Sequence, residues 1–204
     1  MMVNFGAFTG KTIIDPLRDA IGEQAYIYIN FFSASMTILA LLSVILLYKS
    51  AHTAGEGKSM SEMKIGMVGL DTSHVTGFAD CFNLTAHRFH LPRARIAKAF
   101  PGGSALFSLS RSRVGQFTSE LRGKYGVGIA GSIEELAGLD AYFLESVDGA
   151  QHLEQFRQLA EFGKPVFVDK PLACSYADAK AIFELAREKG IPLMTASSMR
   201  FAAG

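Results

Sequence analysis

Cysteine is scarce in this 204-residue chain: Cys81 and Cys174 stand far apart. There is no CxxC pair and no ladder of cysteines and histidines. That excludes a disulfide-stapled fold and leaves two reduced thiols in a cytoplasmic domain. An excess of charge of one sign is also missing, with 20 Lys+Arg against 19 Asp+Glu and a formal net charge of +1. Beyond short pairs such as Arg111 and Arg113 there is no basic patch, so no nucleic-acid partner is expected. His87 and His90 are three apart but have no carboxylate beside them, and no metal site is expected.

Apolar residues are abundant, at 49% with a mean hydropathy of +0.22, which points to an apolar segment. Residues 25–48 (AYIYINFFSASMTILALLSVILLY) contain no charge. As a helix they would extend roughly 36 Å at ~1.5 Å per residue, enough to cross a bilayer core of about 30 Å. Tyr26, Tyr28 and Tyr48 fall near the ends, as in an aromatic belt, and Lys49 closes the run. The run is too long for a secretory leader, and the stretch before it is long and mixed in charge. The sequence therefore predicts a single transmembrane helix over 25–48.

Residues 1–24 precede it. There Asp15-Pro16-Leu17 starts a short helix whose apolar side is Ile13, Ile14, Leu17 and Ile21. Residues 49–62 are small and polar and read as a linker. Basic residues are balanced across the span and do not orient it. The domain that follows does, because a dinucleotide site and unpaired thiols belong in the cytoplasm.

Residues 63–204 alternate strand and helix. Strands are predicted at Lys64–Gly69, Ala94–Phe100, Val127–Ala130, Ala141–Leu144, Pro165–Val168 and Ile191–Ala196. Helices are predicted from Thr72 or Ser73 to about Asn83, over Val114–Lys124, over Ala150–Phe162, and from a Ser175 cap to Lys189. Ser132 and Glu135 suggest a capping box for one more short helix. The pattern predicts an α/β, Rossmann-like doubly wound parallel sheet, with ligands at the carboxyl ends of the strands.

The first strand runs into Gly69-Leu70-Asp71-Thr72-Ser73-His74. A dinucleotide turn reads GxGxxG, so that backbone can approach the pyrophosphate at a helix N-terminus. Here Gly69 is kept, while Asp71 and His74 take the second and third glycine positions. A carboxylate beside a pyrophosphate is electrostatically unfavourable. The acidic ribose partner expected after the second strand is replaced by Pro101-Gly102-Gly103-Ser104.

The later segments are more specific. The run from Glu145 to Met194 holds His152 at a helix head, then Gly163-Lys164-Pro165, a strand and Asp169-Lys170-Pro171. In that order it resembles the glucose–fructose oxidoreductase/inositol dehydrogenase (Gfo/Idh/MocA) family, and KIGMVGLDTSHVTGF resembles a branch whose turn reads GLDTSH. The resemblance implies a nicotinamide-dependent dehydrogenase domain binding NAD or NADP. Lys170 and His152 would be its catalytic residues. Gly69, Asp71, Thr72, Ser73, His74, Ser146, Asp148, Asp169, Lys170 and Pro171 would line the cofactor. Family members carry a second α/β domain that supplies most of the substrate pocket, and this chain stops at Gly204, so a truncated relative is expected.

From this the sequence favours a single-span membrane protein whose cytoplasmic domain is a catalytically silent accessory subunit of a membrane complex. It would hold other subunits through the span and the exposed domain face. The alternative is a membrane-tethered NAD(P)-dependent oxidoreductase domain that needs a partner for its substrate half. A gene fragment is the third reading.

Overall fold

The computed structural model describes residues 62–197. The apolar run 25–48, the segment 1–24, nearly all of the linker and residues 198–204 lie outside the described residues. Among the described residues no helix is long and apolar enough to cross a membrane.

Six strands pair in parallel: β1 (Met63–Val68), β2 (Ala94–Phe100), β3 (Gly128–Ile129), β4 (Ala141–Leu144), β5 (Val166–Val168) and β6 (Leu193–Thr195). Their spatial order is β3-β2-β1-β4-β5-β6. This is the doubly wound order whose direction reverses between β1 and β4, where such sheets open a crevice. Strands β4 and β5 are apolar throughout. Every residue of β4 (AYFL) and β5 (VFV) is buried, as a parallel strand covered on both faces requires. β2 matches its expected bounds, because Pro101-Gly102-Gly103 stops it.

Among the described residues four helices cover the sheet: α1 (His74–Asn83), α2 (Ser108–Tyr125), α3 (His152–Ala160) and α4 (Tyr176–Glu188). Side chains alternate across a strand, and this sorts the core. Tyr142 and Leu144 of β4 join Phe156, Leu159, Ile182 and Ala186 under α3 and α4. Phe143 turns to the opposite face and meets Phe78 and Phe82 of α1 at ring-centroid distances of 5.2 and 5.7 Å. Phe167 of β5 lies 6.0 Å from Phe78 on that same face.

Three local readings are corrected. Helix α2 begins at Ser108, six residues before the expected Val114. The Ser132 box forms a single 3-10 turn over Glu134–Leu136 with no side-chain cap; Ser132 lowers the Glu134 pKa, and Glu135 lies 3.5 Å from Lys98 Nζ. The segment 149–151 is a 3-10 turn leading into α3. Ser175 does cap α4: its Oγ accepts the Asp178 N–H at 3.0 Å.

Candidate active site

The parallel ladder continues past the strands and brings their carboxyl ends level. Gly69 N–H donates to Phe100 O at 3.0 Å, Glu145 N–H to Val68 O at 2.7 Å, and Asp169 N–H to Leu144 O at 2.9 Å. The turns after β1, β2, β4 and β5 thus share one edge.

Gly69 is obligatory at this edge. Its φ is +86°, and a Cβ there would lie 2.3 Å from Ser146 Oγ and 2.4 Å from Ser146 N. The glycine lets the β1 and β4 turns touch. Gly102, also left-handed at +58°, brings the β2 turn against Gly69.

Asp71 is where the charge argument from sequence is corrected. Its side chain is turned inward and fully buried. Oδ1 accepts the Val147 N–H at 2.9 Å and Oδ2 accepts the Ser110 hydroxyl at 2.6 Å. Ser110 Oγ in turn accepts the Ser104 N–H at 2.7 Å. The carboxylate therefore ties three turns together and does not face solvent, so the electrostatic objection to a pyrophosphate is weaker than the sequence suggests. The two glycine-bearing turns beside the head of α1 fit a dinucleotide, with Ser73 at the N-cap of the helix and Thr72 just before it.

His152 and Ser146 are also placed differently from expectation. His152 is wholly buried, with Nε2 2.7 Å from Ser146 O and Nδ1 3.2 Å from Leu172 O. It fastens the β4 turn to the segment after Pro171 and presents no atom to a substrate, so it is a positioning residue. Ser146 Oγ donates to Gln155 Oε1 at 2.8 Å beneath the surface. Asp148 is half-buried and caps the 149–151 turn, accepting the Ala150 N–H at 3.1 Å.

Asp169, Lys170 and His74 do converge. Strand alternation places Glu145 after Phe143 and Asp169 after Phe167, on the α1 side of the sheet, where His74 opens that helix. His74 Nδ1 lies 2.7 Å from Asp169 Oδ2, and Lys170 Nζ lies 3.7 Å from the same oxygen. The Asp169 side chain is 6% exposed, against 41% for His74 and 45% for Lys170. The carboxylate is thus the buried end of a triad whose imidazole and ammonium reach the cleft. Pro171 is exposed beside them, and the Lys170–Pro171 peptide is cis.

Sequence reasoning did not single out Glu145. It is fully buried, and neither carboxylate oxygen has a hydrogen-bond partner among the described residues. Burial first, then the neighbouring Asp169 and Asp71 carboxylates, push its pKa well above the usual range, opposed by Lys170. The signal was legible: a carboxylate ends the run Ala141–Leu144, where an apolar residue would be unremarkable. Gly149 was missed too; a Cβ there would meet Pro171 Cγ at 2.9 Å, so the glycine lets the segment carrying Lys170 close down.

Residues 83–197 match the family model of an oxidoreductase family with an NAD-binding Rossmann fold, Gfo/Idh/MocA. A dehydrogenase from Clostridium difficile is 26% identical, with a TM-score of 0.50 over 67% of this chain and 39% of its own. A probable dehydrogenase from Thermotoga maritima is 23% identical, with a TM-score of 0.51 over 68% of this chain and 37% of its own. An oxidoreductase from Agrobacterium radiobacter, solved with NAD+, L-tartaric acid and magnesium, is 18% identical, with a TM-score of 0.52 over 69% of this chain and 37% of its own. This chain thus spans less than two fifths of the length of each of these proteins. A search of curated proteins gave no match.

Proposed function

This chain belongs to the Gfo/Idh/MocA oxidoreductase family, and we propose that its α/β domain binds NAD or NADP at the β1–β4 crevice and serves hydride transfer to or from a carbon bearing oxygen. The observation that carries this reading is the triad of His74, Asp169 and Lys170 at the carboxyl edge. A domain kept only as a scaffold has no need of a buried carboxylate with an imidazole and an ammonium held on it.

When bound, the nicotinamide supplies or accepts the hydride. The chain's own residues handle the charge and the proton. The Lys170 ammonium can stabilise negative charge developing on a substrate oxygen. Asp169 accepts a hydrogen bond from His74 Nδ1, which fixes the tautomer and leaves Nε2 to give or take a proton. Asp71, held by Val147 and Ser110, keeps the β1 turn in the shape a pyrophosphate needs. The site is open on one side, so a second domain or a partner would have to exclude water and hold the substrate.

The test is turnover with NAD(P) on a panel of polyols and hydroxy acids, in the presence of the natural membranes. Lys170→Ala and His74→Asn should each lower turnover by ~10²–10⁴, with dinucleotide affinity changed only a few-fold. Turnover unaffected by both changes would remove the triad from the mechanism.

Membrane attachment through 25–48, a cytoplasmic domain and association with other subunits complete the proposal. The charge-free length of that run supports the first. Tyr176 and Phe183, 84% and 50% exposed on one face of α4, support the last and are what the accessory-subunit reading would use.

A further inference from the structure

We propose that His74, Glu145 and Asp169 form a binding site for one divalent first-row metal ion of the zinc–manganese class. The sequence carries no metal motif, because the three residues stand at the ends of β1's turn, β4 and β5, 71 and 24 positions apart. The sheet brings them together: one ligand atom from each lies within 4.8 Å of the others.

The independent observation is Glu145. Both its oxygens are buried without a partner among the described residues, and a buried carboxylate left so is costly. The other two carboxylates at this edge are supplied: Asp71 by Val147 and Ser110, Asp169 by His74 and Lys170. Glu145 alone has no hydrogen-bond partner among the described residues, and it is one of the three residues whose ligand atoms converge. A single divalent ion would satisfy it and balance the two carboxylates together.

The donor set is one imidazole and two carboxylates, which suits zinc or manganese and lacks the thiolates of a structural zinc site. Bonds of ~2.1 Å set ligand atoms about 3.4 Å apart in a tetrahedral site, so His74 Nδ1 and Asp169 Oδ2, now 2.7 Å apart, must part slightly, while Glu145 need only come to the same spacing from within 4.8 Å. They stand on strand ends and the first turn of α1, which can hold such geometry. The ion would replace the hydrogen now between His74 Nδ1 and Asp169 Oδ2. His74 is part-exposed and gives a path from the cleft. An open coordination position facing that cleft could polarise a substrate oxygen beside Lys170. This chemical role rests on the cleft being the dinucleotide site proposed above; the binding of the ion does not.

Lys170 provides a test of opposite sign. Its ammonium, 3.7 Å from Asp169 Oδ2, competes with a metal cation for that carboxylate. The experiment is calorimetric titration of Zn2+ into the chelator-stripped full chain, with Co2+ absorption as a second readout and NADH fluorescence on the same samples. One ion per chain is expected. Glu145→Gln should weaken it by more than the ~10–100-fold that loss of an outer-shell partner costs; this change removes an uncompensated carboxylate, so the fold should survive it. Lys170→Met should tighten Zn2+. Absence of stoichiometric binding, or binding indifferent to Glu145→Gln, overturns the site and leaves a proton as the occupant of Glu145. NADH binding without Zn2+ binding would sink the metal site alone; Zn2+ binding without NADH binding would sink the dinucleotide reading alone.

Discussion

At the scale of single residues, the site depends on close approach. Gly69→Ala adds a Cβ 2.3 Å from Ser146 Oγ at a left-handed φ, combining overpacking with backbone strain. A loss on the order of 3 kcal/mol is expected, together with loss of dinucleotide binding; chemical denaturation and NADH fluorescence would show both. An unchanged midpoint would mean the two turns do not touch as described.

The two cysteines give a prediction in pH. Burial, with Asp80 nearby, raises the Cys81 thiol to about 11, whereas Cys174 is exposed. Thiolate is the reactive form, so a maleimide at pH 8 should label one site per native chain, at Cys174. The folded pKa of Cys81 lies above its unfolded value of about 9. Its contribution to stability is therefore present below pH 9 and lost as pH rises towards 11. Cys81→Ala should flatten that alkaline decline; rapid labelling of Cys81 in the native state would contradict its burial.

Which site residues the sequence reveals follows from their setting. Asp169, Lys170 and Pro171 form a contiguous motif, and His74 sits in the first turn, so both are visible in order. That His74 and Asp169 are partners is not visible, since 95 positions separate them. Asp71 is misread for the same reason: its acceptors' donors, Val147 and Ser110, come from other turns. Glu145 is visible as a carboxylate ending an apolar run, but its burial is a tertiary fact that the run does not show.

At the scale of elements, local chemistry decides most boundaries. Ser175 caps α4 through Asp178 N–H, and Ser175→Ala should cost about 1 kcal/mol in thermal or urea denaturation; no change would show that the cap is redundant. Helix α2 is the converse. Its first residues, Ser108-Leu-Ser-Arg-Ser-Arg, include three serines of middling helix propensity, and its N-cap Phe107 makes no side-chain cap. Asp71 and Ser104 pin Ser110 instead. Tertiary contact therefore extends the helix six residues beyond what its own sequence supports. β2 and β4 were legible to the residue, the one bounded by Pro-Gly-Gly and the other uniformly apolar.

At the scale of the whole molecule, the domain has the strand order and crevice of a complete nucleotide-binding half. It matches 39% or less of the solved proteins it resembles. If residues 25–48 anchor the full chain, it should stay with membranes through an alkaline carbonate wash; release into the supernatant would refute the anchor.

The central claim is that this crevice holds a nicotinamide dinucleotide, and the most direct measurement is fluorescence titration of the purified full chain with NADH and NADPH. The account predicts saturable binding of one dinucleotide per chain, displaced by the oxidised form and lost in Gly69→Ala. No saturation with either dinucleotide at millimolar concentration, in a chain shown to be folded, would contradict it.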